Sequence, residues 1–247
     1  MSAEPVTVTF AGSGDAFGSG GRFQACIQLS HPDLTGPVLL DCGATSMTAL
    51  RQAGLDPGEI RTVFLSHLHG DHFGGLPFLI LDGQFSRREN PLQIIGPPGT
   101  QERLSEAMEC LFPGSTQVRR EFLVLVTDLS PGQQLDLPGM RVVARPARHP
   151  SGASALILRL ELCGKVIAYT GDTSWTDAIP LAAAGADLLI IEAYYRHKRV
   201  PHHLRLEDLT EHRSEIKARR IIVTHMSADM LAHPTEEHAH DGMVVYV

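Results

Sequence analysis

Apolar and polar side chains alternate in the first strand-like stretch of the chain. Val6, Val8 and Phe10 are separated by threonines, the two-residue period of a strand with one buried face. A Gly/Ser loop follows at 11–22, after which 24–29 and 38–40 read as neighbouring strands joined by a turn at 33–37. Asp41-Cys42-Gly43 closes a strand, and a helix is expected over 46–54 with Ser46 as its cap. Beyond the apolar run 62–65, a short helix is expected over 73–81 with Asp71 capping it, then a strand at 91–95. Leu104, Met108 and Leu111 carry helical spacing over 100–111.

From 121 to 143 the pattern turns strand-like, which reads as the start of a second half. Strands are expected at 142–148, 153–162 and 166–169, with Cys163-Gly164 as the turn between the last two. Helices over 175–184 and 206–218 flank a buried strand at 187–191; strands at 220–223 and 243–247 finish the pattern. Strands and helices in both halves make this an α/β chain, and 247 residues suit a single domain spanning 1–247.

Composition narrows the class. Hydrophobic content of 43% with 20% charged residues is ordinary for a globular protein, and no apolar run approaches the ~18 residues that would cross a bilayer. The start of the chain carries neither a basic region nor an apolar signal core, so a cytoplasmic location and no membrane partner are expected. The four cysteines are dispersed and read as reduced, small hydrophobes. A net charge of −7 argues against a footprint for long nucleic acid. Local basic patches stay possible at the pairs Arg87-Arg88 and Arg119-Arg120 and the run Arg196-His197-Lys198-Arg199, each of which otherwise reads as a solvated face.

The chemistry concentrates in Ser66-His67-Leu68-His69-Gly70-Asp71-His72, directly after an apolar strand. Three imidazoles and a carboxylate in six positions are a metal-ligand pattern, and no cysteine lies nearby to suggest a structural zinc. In extended backbone His67 and His69 point to one side, while Gly70 is expected to let the chain turn and aim Asp71 and His72 elsewhere. That geometry suggests two ions. His149, Asp172 and His225 each follow a predicted strand, where a rigid sheet can position them. Asp41 is a candidate for supporting these ligands, or for bonding loop amides instead.

The spacing His-x-His-x-Asp-His, with His149, Asp172 and His225 downstream, resembles the signature of the metallo-β-lactamase-fold hydrolases over nearly the whole chain. Asp41-Cys42-Gly43, the run from Gly70 to Pro77 and Gly96-Pro97-Pro98-Gly99 are similar to the branch containing ribonuclease Z and related phosphodiesterases. The resemblance implies a four-layer αββα sandwich. It also implies that His67, His69 and His149 hold one divalent ion, that Asp71, His72 and His225 hold a second, and that Asp172 bridges them. Such a pair activates a bridging hydroxide for hydrolysis. His/Asp ligation suits zinc best, with manganese or iron also accepted. Asp71 would additionally take a proton from the water, and Glu192 and His203 would assist the leaving group.

The chain departs from ribonuclease Z after His149, where members that process tRNA carry a long protruding arm. Only the 22 residues from Ser151 to Asp172 stand there, room for a compact hairpin. With the acidic net charge, this argues against tRNA and for a small anionic phosphodiester such as a cyclic nucleotide. Two other readings stay open: a carbonyl-directed hydrolase (lactonase, thioesterase or β-lactamase-like) on the same fold, and a metal-binding protein without enzymatic activity. A homodimer is expected on base rate alone. Which of His202 and His203 faces the metals is open, and His197, His212, His233, His238 and His240 read as surface residues.

Overall fold

A computed structural model describes residues 4–234 and 236–247. Among them, seven strands form one sheet and six a second. The strands of the first are β1 (Thr7–Gly12), β2 (Cys26–Ser30), β3 (Val38–Leu40), β4 (Thr62–Phe64), β5 (Leu92–Gly96), β6 (Val124–Asp128) and β13 (Met243–Tyr246), in the order β13-β1-β2-β3-β4-β5-β6. The second contains β7 (Gln134–Leu137), β8 (Met140–Pro146), β9 (Leu156–Leu162), β10 (Lys165–Tyr169), β11 (Leu188–Glu192) and β12 (Arg220–Thr224), in the order β12-β11-β10-β9-β8-β7. The helices are α1 (Ser46–Gln52), α2 (Gly70–Phe73), α3 (Leu76–Phe85), α4 (Thr100–Leu111), α5 (Ala178–Ala183), α6 (Leu206–Glu211) and α7 (Ala228–Ala232).

Strand alternation sorts the apolar side chains into three packed clusters, which are the three spaces of a four-layer sandwich. Val6, Val8, Phe10, Ile27 and Leu29 of one sheet meet Leu156, Leu158, Leu160, Leu188 and Ile190 of the other. Leu39, Val63 and Ile94 face the opposite way and bury α1, α3 and α4 through Leu50, Leu76, Ile80 and Leu104. Ile157, Leu189 and Ile191 do the same for α5, α6 and α7 through Ile179, Leu209 and Met230. The expected αββα layering is what the chain forms.

Several boundaries differ from the expected ones, each for a local reason. The second half starts at β7, because β6 pairs in parallel with β5 and so belongs to the first sheet. The helix expected over 175–184 is only Ala178–Ala183, since the Ser174 amide donates to the Arg148 carbonyl and the Arg148 side chain to that of Trp175. The helix expected over 206–218 stops at Glu211. Gly185 donates to Lys217 and Arg219 to Ala186, which ties 217–219 into extended backbone ahead of β12. Ser46 lies inside α1, whose cap is Thr45. Arg88 is buried, not solvated: its guanidinium donates to the carbonyls of Pro57, Ile60, Asn90 and Pro91.

β3 to β6 run parallel, as do β10, β11 and β12. Their carboxyl ends carry the loops that bear the chemistry. The two sheets touch at that edge, where the Leu156 amide donates to the Ser66 carbonyl at 2.8 Å. Gly171, at φ 53°, packs so close that an added Cβ would lie 2.5 Å from that of Ser66, so a side chain there would push the sheets apart. β9 and β10 form the compact hairpin after His149, turning at Cys163 (φ 50°) and Gly164 (φ 76°). No helix of the described residues is long and apolar enough to cross a membrane.

Candidate active site

His67, His69, Asp71 and His72 follow β4, His149 follows β8, Asp172 follows β10, Glu192 ends β11 and His225 follows β12. The fold brings them together with His203 in three groups, the last two sharing Asp172 and His225: His67 with His69 and His149; Asp71 with His72, Asp172 and His225; and Asp172 with Glu192, His203 and His225. Within each group the potential ligand atoms lie within 4.8 Å of one another. His67 and His69 share a side, as extended backbone requires. Gly70 is not what makes the turn, because its φ is not left-handed and open space surrounds the position of a Cβ. Nor does Asp71 cap a helix. It sits within α2 and aims its carboxylate at His72 Nε2 (3.3 Å) and His225 Nε2 (3.2 Å).

In the first corner His67 Nε2 lies 3.2 Å and His149 Nε2 3.0 Å from His69 Nδ1. The outer nitrogens fix the tautomers. Ser66 Oγ donates to Asp41 Oδ2, so it accepts from His67 Nδ1–H. His149 Nδ1–H donates to the His202 carbonyl at 3.0 Å. Both Nε2 atoms therefore turn lone pairs inward, toward one point and one another. Burial drives His67 far below the ordinary imidazole range and brings His149 down to about 4, despite the pull of Asp172. Neutral, converging lone pairs are what a cation replaces.

The second corner carries charge. His72 Nδ1–H donates to Asp41 Oδ2 at 2.7 Å, which leaves Nε2 facing Asp71 and Asp172, each 3.3 Å away. His72 Nε2 and Asp172 Oδ1 are buried without a hydrogen-bond partner. Burial would push the Asp71 and Asp172 carboxyls up, yet the neighbouring His72 and His225 hold both well below the usual carboxylate range. His225, disfavoured by burial but drawn by Asp172 and Asp71, rises to about 9. The nitrogen and oxygen donors of both corners suit divalent metals.

Asp41 both supports a ligand and bonds a loop amide. Fully buried, it accepts from the Ser66 amide, the Ser66 hydroxyl, His72 Nδ1 and the Tyr169 hydroxyl, all at 2.7 Å. It adopts φ 59°, and His225 adopts φ 55°. Such left-handed geometry at a non-glycine costs roughly 1–3 kcal/mol and persists where surrounding bonds over-determine it. For Asp41 those are the four bonds above; for His225 they include its amide's bond to the Ser13 carbonyl.

His203, not His202, lines the cavity over the metal-type cluster. His202 is exposed at φ 67°, with its carbonyl turned to His149. His203 Nδ1 lies 3.0 Å from Glu192 Oε2 and 3.9 Å from Asp172 Oδ2. Glu192, buried, also accepts from the Thr173 amide at 2.5 Å. Burial and the charge of Asp172 raise the Glu192 carboxyl, while the bond and charge of Glu192 raise His203 in spite of its burial. His197, His233 and His240 are exposed, and His212 stacks on Trp175 at 3.9 Å, away from the cluster. Sequence reasoning missed Tyr169, Ser66, Tyr194 and Phe17. Tyr169 alone carried a signal, a hydroxyl on an inward-facing strand position that needs a buried partner.

Comparison with known proteins identifies the fold and the family. Ribonuclease Z of Methanothermobacter thermautotrophicus is 34% identical over 145 residues, 58% of this chain and 45% of that protein. Ribonuclease BN of Escherichia coli is 34% identical over 124 residues, 50% of this chain and 39% of that protein. The chain thus spans less than half the length of these curated relatives. The human tRNase Z short form superposes with a TM-score of 0.80 at 25% identity, covering 97% of this chain and 98% of that one. YhfI of Bacillus subtilis, described as a metallo-β-lactamase fold protein, gives 0.79 at 20% identity over 99% and 100%. The fold is the metallo-β-lactamase fold, in its ribonuclease Z and phosphodiesterase branch. A family model described as anti-Pycsar protein Apyc1 matches residues 6–245, and the chain belongs to that family.

Proposed function

We propose that this chain is a dinuclear, zinc-dependent phosphodiesterase acting on a small anionic phosphodiester such as a cyclic nucleotide. The observation that carries the reading is Asp172, which belongs to the acidic cluster and to the His203 cluster and lies 3.9 Å from both His67 and His149 Nε2. His67, His69 and His149 would hold one ion, Asp71, His72 and His225 the other, with Asp172 between them. A bound pair supplies a water of lowered pKa and positive charge opposite the phosphoryl oxygens.

The remaining steps belong to side chains. Asp71, held ionised by His72 and His225, would take a proton from the attacking water. His203, whose protonated form Glu192 favours, faces the same cavity and would protonate the departing oxygen. The cavity, about 340 Å³, is of small-ligand size. The nucleic-acid names of the curated relatives favour a phosphodiester over a lactone or thioester.

Assays of bis(p-nitrophenyl) phosphate alongside lactones and thioesters, on protein with two zinc ions per chain by metal analysis, test this. Turnover of the diester alone is expected. Turnover of only the carbonyl substrates would replace the reading with the carbonyl-directed one. A tRNA precursor is expected to be processed poorly, and accurate 3′ cleavage at low enzyme concentration would show the missing arm to be the wrong discriminator.

A further inference from the structure

Phe17 is 84% exposed, the most exposed of the large hydrophobic side chains described, yet it lines the same cavity as His69, Asp71, His149, Asp172 and His225. A single exposed phenylalanine on a mobile turn would need no explanation. This one is mounted. Asp15, itself buried, accepts from the amides of Phe17 and Ser19 and from the Ser19 hydroxyl at 3.2, 2.8 and 2.7 Å. Asp241 fastens both ends of the loop, accepting from the Ser13 amide at 2.9 Å and the Phe23 amide at 2.7 Å. Gly20 lies against Leu231 of α7, where a Cβ would come within 2.8 Å. The loop backbone that carries the ring is therefore fixed before any ligand arrives, with the Phe17 and Ser19 amides turned to Asp15 and not to the cavity.

The lining has two characters. Imidazoles and carboxylates form the part suited to metal and phosphate; Phe17, Ala16 and Val200 add apolar surface to the same small volume. A phosphate ester alone has no use for that surface. We infer that Phe17 is a stacking platform for a flat ring carried by the phosphate-bearing ligand, a nucleobase on a nucleotide-sized molecule. The inference rests on the cavity's reading as a phosphodiester site and adds what its apolar part recognises. Stacking of a base on an aromatic side chain contributes about 1–3 kcal/mol, or roughly 5- to 150-fold in affinity.

The test is binding, which does not require turnover. Calorimetry on the zinc-loaded full chain would compare cytidine and adenosine 5′-monophosphates with ribose 5-phosphate. The nucleotides are expected to bind at least ~10-fold more tightly than the sugar phosphate. In Phe17→Ala that ratio is expected to fall to within about twofold of unity, while Phe17→Trp keeps it. A wild-type ratio near one, or a ratio that survives in Phe17→Ala, overturns the inference. If the ratio survives while the sedimentation mass of Phe17→Ala drops, Phe17 belongs to a contact between copies of the chain. If the ratio collapses as expected but no diester is hydrolysed, the platform stands and the proposed reaction falls.

Discussion

The two corners of the site are built from the same strand-end loops but solve opposite problems. The corner of His67, His69 and His149 is neutral: its imidazoles are steered by a hydroxyl and a backbone carbonyl, and burial keeps protons off two of them. The corner of Asp71, His72, Asp172 and His225 is charged, and it rests on Asp41, which Ser66 and Tyr169 in turn brace. The first depends on removing protons, the second on concentrating carboxylates. The corners should therefore differ in how they lose metal: the acidic one depends on its supporting hydrogen bonds and also meets the stronger competition from protons, which its carboxylates draw onto His72 and His225, whereas buried His67 and His149 take protons poorly.

The strongest way to break the contrast is Asp172→Ala, because Asp172 belongs to the acidic corner, lies 3.9 Å from both His67 and His149, and is the residue proposed to bridge the two. At least one ion and essentially all hydrolysis should be lost. Two ions per chain with intact activity in the folded variant would remove Asp172 from the centre of the argument. Asp172→Asn keeps the shape and removes the balancing charge, so it should fold better and still be damaged.

His203→Ala adds nothing to either corner's ligands and asks whether the acidic one extends into proton transfer. Hydrolysis of an alkyl or nucleoside diester should slow by about 10²–10⁴-fold, and that of a nitrophenyl diester much less, at constant metal content. Equal losses on both substrates would make His203 a positioning residue. The adjacent His202→Ala is the control, since only its backbone carbonyl touches the site.

Tyr169→Phe sharpens the contrast with the least disturbance. It deletes one of four bonds to Asp41 while leaving every metal-type side chain in place. Stepwise metal titration should show one of two sites weakened by about tenfold, the lower end of what lost supporting bonds cost. Equal weakening of both sites, or of neither, would show that the brace does not discriminate between corners.

The comparison also explains what could be read from the chain alone. His67, His69, Asp71 and His72 announce themselves because they crowd into one loop, and the layers because Val6, Val8 and Phe10 or Leu188 to Ile191 have unmistakable periods. Asp41 stayed undecided because its partners stand 25, 31 and 128 residues away, beyond any spacing rule. Arg88 was misread because an Arg-Arg pair is usually solvated, and nothing local shows the four carbonyls it serves. The helices at 178–183 and 206–211 came out short for the same reason: long-range backbone bonds overrode a sound local pattern. Phe17 offered no signal, because what distinguishes it is a mounted loop and a cavity.

The Ser13 carbonyl receives the His225 amide at 3.1 Å and the Thr224 hydroxyl at 3.2 Å, a tie between the first loop and the last metal-type histidine. During synthesis the early loop must wait for about two hundred residues before its partner leaves the ribosome. At the usual ~5–20 residues per second, that is a delay of roughly ten to forty seconds. The three imidazoles of the neutral corner have all emerged once His149 has, although the His202 carbonyl that orients His149 follows 53 residues later, whereas the acidic corner waits for His225. The donors of the two corners therefore leave the ribosome at different times, and chemistry that needs both waits for the loop after β12.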